Sequence, residues 1–581
     1  MSESLWIFNE YDKEISGEIS SECEISKPIA NVLVGRGFND LASITQFIEK
    51  PTTLLRNFKN LPDVKPAVER LKRAIEDKEK IFIWGDYDVD GITATAVVVT
   101  CMNLFGANIH YKVPSRFSDG YDIKKHSVDE CIENGCSLLM TVDCGILAFE
   151  TAEYAKTKNL DLLITDHHTP SSDGRVPDCL AVVNPSRLDS EYGFSGLCGA
   201  GIAFKLMLAL GKALNANLNK IVLDTIEYVA LGTVADVAPM IDENRVLVHK
   251  GCQTLSNSKK IGIQELLKVA GVSEVDTTSI GFQLGPRINA IGRLADPQIA
   301  VDLLLETNPQ RAKFLANQLD SVNKRRQSKQ EHMVQEAFAM AEEENLDEFP
   351  IIVCWAKSWH AGLIGLVAGK LAEKYHKPAI VFAVNEEGNA KGSCRSTKTI
   401  NILEILKHPD VLPLFSKKGD GSPIVGGHAF AAGMEVPLDN LKQFRQATSD
   451  VLTKLNPNIQ IGKKTFFIDS RIVAGEINEH TYNDLLGLAP FGAGNPEPVF
   501  MLKGILVQEQ KLLSSDKHIK FSLFHKKFQY NKLSALLWHR AADYPDDYVN
   551  KTVDIIFTFG KENKSYGTKF YLSIIDMKLS E

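Results

Sequence analysis

Residues 80–91 read KIFIWGDYDVDG. Ile81, Phe82, Ile83 and Trp84 form an unbroken bulky apolar run, the signature of a strand buried on both faces, as strands of parallel sheets are. The run stops at Gly85 and gives way to three carboxylates, Asp86, Asp88 and Asp90, within five residues. Like charges this close raise one another's pKa and oppose folding unless a cation neutralises them. A carboxylate cluster at the carboxyl end of a buried strand is therefore a candidate metal site. A calcium-binding helix–loop–helix is a poor match. Counted from Asp86, the sixth position is the required Gly91, but the twelfth is Val97 instead of Glu, and the flank is a strand.

Outward from this stretch the chain alternates. Helical spacing is expected at 68–75, 93–105, 126–134 and 149–156. Strands are expected at 109–113, 138–142, 160–165 and 180–183. Strands alternating with helices mean βαβ units and a parallel sheet. Two of these strands also end in polar chemistry. The strand 138–142 runs into Asp143-Cys144-Gly145, and 160–165 runs into Asp166-His167-His168. A further carboxylate, Asp236, lies in GTVADVAPM at 232–240. Alone, each piece is ambiguous: a DxDxD loop can hold Ca²⁺ or simply turn the chain, and a histidine can be a satisfied polar residue. Three acidic clusters, each at a strand end, carry the argument together. Open parallel sheets bind ligands at the carboxyl ends of their strands. Asp88, Asp90, Asp143, His167 and Asp236 are thus expected to converge. Oxygen ligands mixed with imidazole suit Mn²⁺, and Mg²⁺ less specifically. The set suffices for two ions with one Asp bridging, the usual device for phosphodiester hydrolysis.

Beyond residue 200 the pattern is mainly helical, and 308–344 reads as one long helix whose charged faces suit a connector. A second α/β pattern begins at Phe349, with a strand at 351–354, a helix at 362–375 and a strand at 379–384. Gly-rich segments follow at 388–396 and 426–433. From about 464 the chain is β-rich (KTFFID, PVFMLKGILVQEQ, IKFSLFH, LSALLWH, VDIIFTF, KFYLSII), which suits a small closed barrel. The expected fold is α/β and multidomain. It comprises an N-terminal segment 1–60, a parallel-sheet domain 61–305, a connector helix 306–347, a smaller α/β domain 348–460 and a barrel 463–581.

The net charge of −8 and pI near 6.0 exclude a wholesale basic coat, though not a local basic groove. The 10 Cys include no CxxC, so reduced thiols and no structural zinc are expected. The acidic N-terminus lacks the features of a secretory signal, and a cytoplasmic protein is expected. The uncharged run 91–111 contains Thr93, Thr95, Thr100, Asn103 and Asn108, and reads as a buried helix and strand, with no membrane contact. No heptad seam is present, so a monomer is expected.

DYDVDG, TVDCG, TDHH and GTVADVAPM, in this order, resemble the four motifs of the DHH phosphoesterase superfamily. GPRINAIGR (285–293), WHAGLIGLVAGKL (359–371), GSCRS (392–396), GGHAFAAG (426–433) and LAPFGAGNPEP (488–498) narrow the resemblance to the RecJ exonuclease family. It spans about residues 80 to 500. It implies a DHH domain, a long connector helix, a DHHA1 domain and a C-terminal OB-like barrel. It also implies that Asp88, Asp90, Asp143, His167 and Asp236 hold two Mn²⁺ or Mg²⁺ ions, with Asp143 bridging. Asp86 is then a ligand or a supporting group, Asp166 orients a histidine or a metal water, and His168 faces the scissile phosphate or the leaving oxygen.

For nucleic acid, Ser393, Arg395 and Ser396 combine small residues with a bidentate donor. A turn with an exposed Arg is the alternative, and the resemblance to the DHHA1 domain favours phosphate. His428 is read in the same way. Arg287, Asn289 and Arg293 are further candidates, with Gly285-Pro286 expected to end the preceding element. Lys324-Arg325-Arg326 is either a solvated helix face or a backbone contact. On the barrel, Lys517, Lys520, Lys526, Lys527 and Arg540 interleave with Phe521, Phe524, Phe528, Tyr530 and Trp538, a pattern that suits single-strand binding. Most of these rings are expected in the barrel core.

The activity implied by the resemblance is a single-stranded-DNA-specific 5′→3′ exonuclease releasing nucleoside 5′-monophosphates, in recombination and repair. Single-strand binding protein and a RecQ-type helicase are the implied partners. Two alternatives remain: a hydrolase of short oligoribonucleotides or cyclic dinucleotides, and an inactive scaffold at a replication fork. The connector and barrel argue against the first, and the retained carboxylates against the second.

Overall fold

The computed structural model describes residues 4–115, 122–397, 399–419, 421–457, 462, 464–513, 517–525, 532–562 and 570–580. Lys526, Lys527, Phe528 and Tyr530 lie outside the described residues.

The first sheet has five strands, all parallel, in the order Asn108–Lys112, Lys80–Trp84, Leu138–Val142, Asp161–Thr165, Ala181–Val183. Lys80–Trp84 buries both faces: Ile81 and Ile83 enter one apolar cluster, Phe82 and Trp84 another. The chain leaves this strand to one side, then returns to Leu138–Val142 on the other. The strand order therefore reverses between these two neighbours, and a crevice opens beyond their carboxyl ends. The uncharged run becomes the buried helix Val89–Leu104 and the strand Asn108–Lys112. Among the described residues no helix is long and apolar enough to cross a membrane.

The connector is a 35-residue helix, Pro309–Glu343. The second sheet also has five strands. Ile352–Ala356 and Ala379–Val384 are parallel, and Asn389–Arg395, Ala431–Pro437 and Val425–His428 add antiparallel. At the C-terminus, Phe500–Leu513, His518–Phe524, Leu533–Leu537, Phe570–Leu579 and Thr552–Lys561 close on themselves through a pairing of the first with the last. One pairing, Leu533–Leu537 with Phe570–Leu579, is parallel. This is the OB-like barrel. Phe521 is in its core, but Phe524 is half-buried outside that cluster and Trp538 is 41% exposed, so of the described rings only Phe521 meets the expectation of a core position.

The N-terminal residues prove to belong with the barrel. Leu5–Phe8 pairs in parallel with Thr465–Ile468, so KTFFID lies outside the barrel. Ile29, Leu33 and Ile44 share a core with Ile477, Leu485, Phe500 and Phe557. Arg245, on the helix Asp242–Ser256, fastens this unit to the first domain. Its guanidinium donates to the carbonyls of Phe47 and Leu488 at 3.0 Å and of Pro490 at 3.3 Å, and stacks 3.6 Å from the centre of the Phe47 ring. Burial pushes its pKa down to about 9.

Losing a charged donor from several buried carbonyls costs about 1.5–3 kcal/mol. Arg245→Ala is therefore expected to destabilise the protein by about that amount. Faster hydrogen exchange should appear in Lys27–Gly35 and Leu41–Glu49 first, and unchanged exchange there would remove Arg245 from this role. Lysine, with a point charge and no planar fork, should restore little.

Candidate metal centre

The crevice at the order reversal is lined from three strand ends. After Lys80–Trp84 the chain turns so that Asp88 caps the helix Val89–Leu104. Asp88 Oδ1 accepts from the Asp90 and Gly91 amides at 2.9 and 3.1 Å. Gly91 has no alternative, because a Cβ there would stand 2.5 Å from the carbonyl oxygen of Asp86. After Leu138–Val142, Asp143 takes a positive φ of 65° and buries its carboxylate. The first turn of Gly199–Ala213 presses against it, and a Cβ at Gly199 would stand 2.5 Å from Asp143 Oδ1. That turn also holds Asp90, whose oxygens accept from Gly199 N at 2.5 Å and Ala200 N at 2.9 Å. A helix N-terminus favours a negative charge there. Asp236 ends the helix Leu218–Ala235.

His167 stands among these groups. Its Nε2 is 3.2 Å from Asp143 Oδ1 and 3.9 Å from Asp90 Oδ2, and its Nδ1 is 3.9 Å from Asp236 Oδ2. Three sets of potential ligand atoms result, each mutually within 4.8 Å: Asp86, Asp88 and Asp143; Asp90, His167 and Asp236; Asp143, His167 and His168. The first two sets share no residue, and Asp143 belongs to the first and third. All five expected ligands and Asp86 are thus brought together.

The electrostatics fit a cation. Burial, then the charges of neighbouring carboxylates, pushes the pKa of Asp86, Asp88 and Asp143 up. The same causes push Asp236 up to about 8. Burial holds His167 down, as a neutral ligand imidazole requires. Asp86 Oδ1 and Asp143 Oδ1 are buried without a hydrogen-bond partner. Buried polar atoms are rarely left so, and an ion is one explanation of an exception.

Asp166 differs. Its oxygens accept from Ile146 N at 2.9 Å, His167 N at 2.7 Å, His168 N at 3.1 Å and His168 Nδ1 at 2.7 Å. Burial works against its charge, but these bonds bring its pKa below the usual range. It fixes the ring of His168 from behind and holds the backbone amides of both histidines. Burial likewise opposes a charged His168, yet the hydrogen bond and charge of Asp166 hold its pKa up at about 9.

A cavity of about 490 Å³ lies across the second sheet. Its lining includes Lys391, Ser393 and Arg395, which alternate along one face of Asn389–Arg395. Ser393 pairs with Gly433, which pairs with Gly426, so no side chain fills the floor. Gly365, in the first turn of Ile364–Tyr375, is close enough that a Cβ would meet Ser393 Oγ at 2.9 Å. A helix N-terminus, an arginine and a hydroxyl are donors of the kind that suit a phosphate, and Glu435 lines the same cavity. His428 lies in the same cross-strand row as Arg395, through Ala431.

Several expectations need correction. Gly392–Arg395 belongs to the strand Asn389–Arg395, so the alternative of a turn with an exposed Arg395 falls. Gly285-Pro286 does not end an element, because the chain stays helical from Thr277 through Leu294. Arg287 is occupied by Asp320 Oδ1 at 3.0 Å and the carbonyls of Gln283 and Val269. Ser396 Oγ donates to Ile400 O within its own turn. Lys324 pairs with Asp320, Arg325 donates to Leu294 O, and Arg326 lines a second cavity together with Asn289 and Arg293. Arg293 also donates to Gly362 O at 2.7 Å and borders the second-sheet cavity.

Sequence reasoning missed Asp122, Lys391 and Lys418. Burial pushes Asp122 up to about 6, and its charge acts on Asp86 from outside the strand-end pattern. Lys418 reaches the second-sheet cavity from a distant loop. Lys391 was legible, two residues before Ser393 in a period-two pattern.

Comparison with known proteins agrees with this geometry. The DHH family, N-terminal domain, matches residues 80–233, the DHHA1 domain 348–454 and the RecJ OB domain 468–576. The single-stranded-DNA-specific exonuclease RecJ of Escherichia coli (strain K12) is 33% identical over 526 residues, 87% of this chain and 88% of its own length. The protein of that name from Bacillus subtilis (strain 168) is 32% identical over 537 residues, 91% of this chain. This chain spans 65% of that relative's length. The crystal structure of RecJ in complex with Mn²⁺ from Thermus thermophilus superposes with a TM-score of 0.82 at 26% identity, covering 99% of this chain and 80% of that one. Strand-end carboxylates, second sheet and barrel thus follow one pattern along nearly the whole length, and the chain belongs to the RecJ family.

Proposed function

We propose that the chain is a metal-dependent exonuclease that removes nucleoside 5′-monophosphates from the 5′ end of single-stranded DNA. The observation that carries this reading is the convergence of five carboxylates and His167 on one crevice, with two buried carboxylate oxygens unsatisfied. The names of the relatives and the Mn²⁺ and Mg²⁺ complexes of the Thermus protein support it.

In this reading Asp88, Asp90, Asp143, His167 and Asp236, with Asp86 beside them, would hold two Mn²⁺ or Mg²⁺ ions, with Asp143 as the shared ligand. Such ions acidify water and neutralise the charge of the phosphodiester. The chain's own groups do the rest. Asp166 fixes the ring of His168 through Nδ1. As an imidazolium, His168 carries a second N–H, on Nε2, that donates to the scissile phosphate or the departing oxygen. Ser393, Arg395 and the amides at the start of Ile364–Tyr375 bind the terminal phosphate, with His428, Asn289 and Arg293 along the strand's path. The domain limits 61–305, 306–347, 348–460 and 463–581 belong to this reading, as does a cytoplasmic monomer acting in recombination and repair. Single-strand binding protein and a RecQ-type helicase are proposed partners, on the resemblance of the motifs.

The test is cleavage in Mn²⁺ of a long single strand labelled at either end, beside a duplex and a dinucleotide. Early release of the 5′ label as mononucleotide, with the duplex spared, is expected. Preference for the dinucleotide would move the protein to the short-oligonucleotide hydrolases, and no cleavage at all would make it a scaffold. Asp166→Asn should lower kcat about 10–100-fold, because His168 loses the carboxylate that fixes its ring and holds its proton. Asp143→Asn should cost more, since it removes an atom common to two ligand sets. Equal or smaller loss would displace Asp143 from the centre. Arg395→Ala should raise KM about tenfold or more with little change in kcat. An unchanged KM would take the second-sheet cavity out of substrate binding.

A further inference from the structure

A second cavity, of about 570 Å³, opens beside the metal centre. One wall begins where the metal cluster ends. After Asp236 comes Val237, with φ 58° and 67% of its surface exposed. A β-branched residue in the left-handed region is strained, and such strain gathers at functional sites. The opposite wall carries Phe282, 80% exposed, on the π-helical turn Ile280–Leu284. Turns of this kind are frequent at functional sites. The third side is Phe491, placed by the 2.6 Å bond from Met240 N to Ala493 O. Arg293, which donates to Gly362 O, and Arg326, which donates to Gln330 and Asn323, supply positive charge. The one carboxyl among the described lining residues is Glu497, whose pKa burial pushes up to about 7. Arg293 also borders the second-sheet cavity.

The geometry points to a nucleobase subsite: one base of the bound single strand leaves the stack, enters this cavity and lies on the ring of Phe282. The inference rests on the proposed nuclease reading and deepens it. An exposed phenylalanine offers a flat apolar face with no packing partner equal to its area, and base stacking on such rings is sequence-tolerant. The flanking guanidiniums match a backbone that runs from the metal centre to the second-sheet cavity along Arg293. The occupant is therefore a base still attached to its strand. A free apolar ligand would have no use for the arginines. A base can enter only without a pairing partner, so the subsite also supplies a reason for single-strand selectivity.

The experiment is single-turnover release of the 5′-terminal nucleotide in Mn²⁺ from strands carrying one abasic residue, stepped along from the 5′ end. For the wild type, the half-saturating concentration should rise about tenfold at one position. In Phe282→Ala that concentration should rise to the same level for every other strand and stay unchanged for the strand abasic at that position, so that the position-specific step vanishes. Phe282→Trp should keep the step. Hydrolysis of a small phosphodiester without bases should be the same in all three proteins, which also shows that each is folded. Phe282→Ala behaving as wild type, or a step that persists in it, overturns the subsite while leaving the nuclease reading intact. A wild type that releases no nucleotide from any single strand overturns both.

Discussion

The structure depends on holding several carboxylates together in a crevice where burial limits their screening by water. Asp86, Asp88, Asp90, Asp143 and Asp236 meet at one crevice, and Asp90 and Asp143 are almost wholly buried. Beyond burial, Asp86, Asp88 and Asp90 raise the pKa of neighbouring carboxylates, so the cluster opposes the fold that creates it. The scaffold offsets part of this. Asp88 is neutralised in part as a helix cap, and Asp90 by the amides that open Gly199–Ala213. Gly91 and Gly199 are placed where a side chain would collide with these groups. What the scaffold leaves unsatisfied, Asp86 Oδ1 and Asp143 Oδ1, is what a divalent cation would bind.

The other parts arrange material around that crevice. The helix Gly285–Leu294 packs so closely on the carboxylate loop that a Cβ at Gly292 would stand 2.4 Å from Tyr87 O. Arg293, near its end, reaches Gly362 and so ties the metal-bearing domain to the second sheet. The barrel and the N-terminal helices form one unit, and Arg245 joins it to the first domain. The carboxylate crevice and the two cavities thus lie on elements that cannot move independently without breaking named contacts.

Much of this was legible in the sequence, for local reasons. Lys80–Trp84 and Leu138–Val142 are short apolar runs with polar chemistry at one end, and a strand pattern fixes both element and direction. The connector helix is visible because nothing interrupts it. What sequence left hidden depends on distant partners. Nothing in LWIF says that it pairs with TFFI at 465–468. Arg287 and Arg293 look alike in GPRINAIGR, yet one meets Asp320 on the connector and the other meets Gly362. The small residues of GSCRS and GGHAFAAG suggested close approach to a phosphate, with no sign of the sheet that carries them. In that sheet the glycines serve to empty a cavity, because cross-strand neighbours remove their side chains together.

The central claim is that cations complete a carboxylate cluster that is otherwise self-repelling. The most direct measurement is thermal unfolding of wild type and Asp143→Asn, each metal-free and with saturating Mn²⁺. The account predicts that Mn²⁺ raises the wild-type Tm by several degrees, about 4 kcal/mol at a thousandfold excess over Kd. It predicts that Asp143→Asn melts above the wild type without metal, because one buried charge is gone, and gains little from Mn²⁺. A metal-free Asp143→Asn protein that melts below the wild type, with an undiminished response to Mn²⁺, would contradict it.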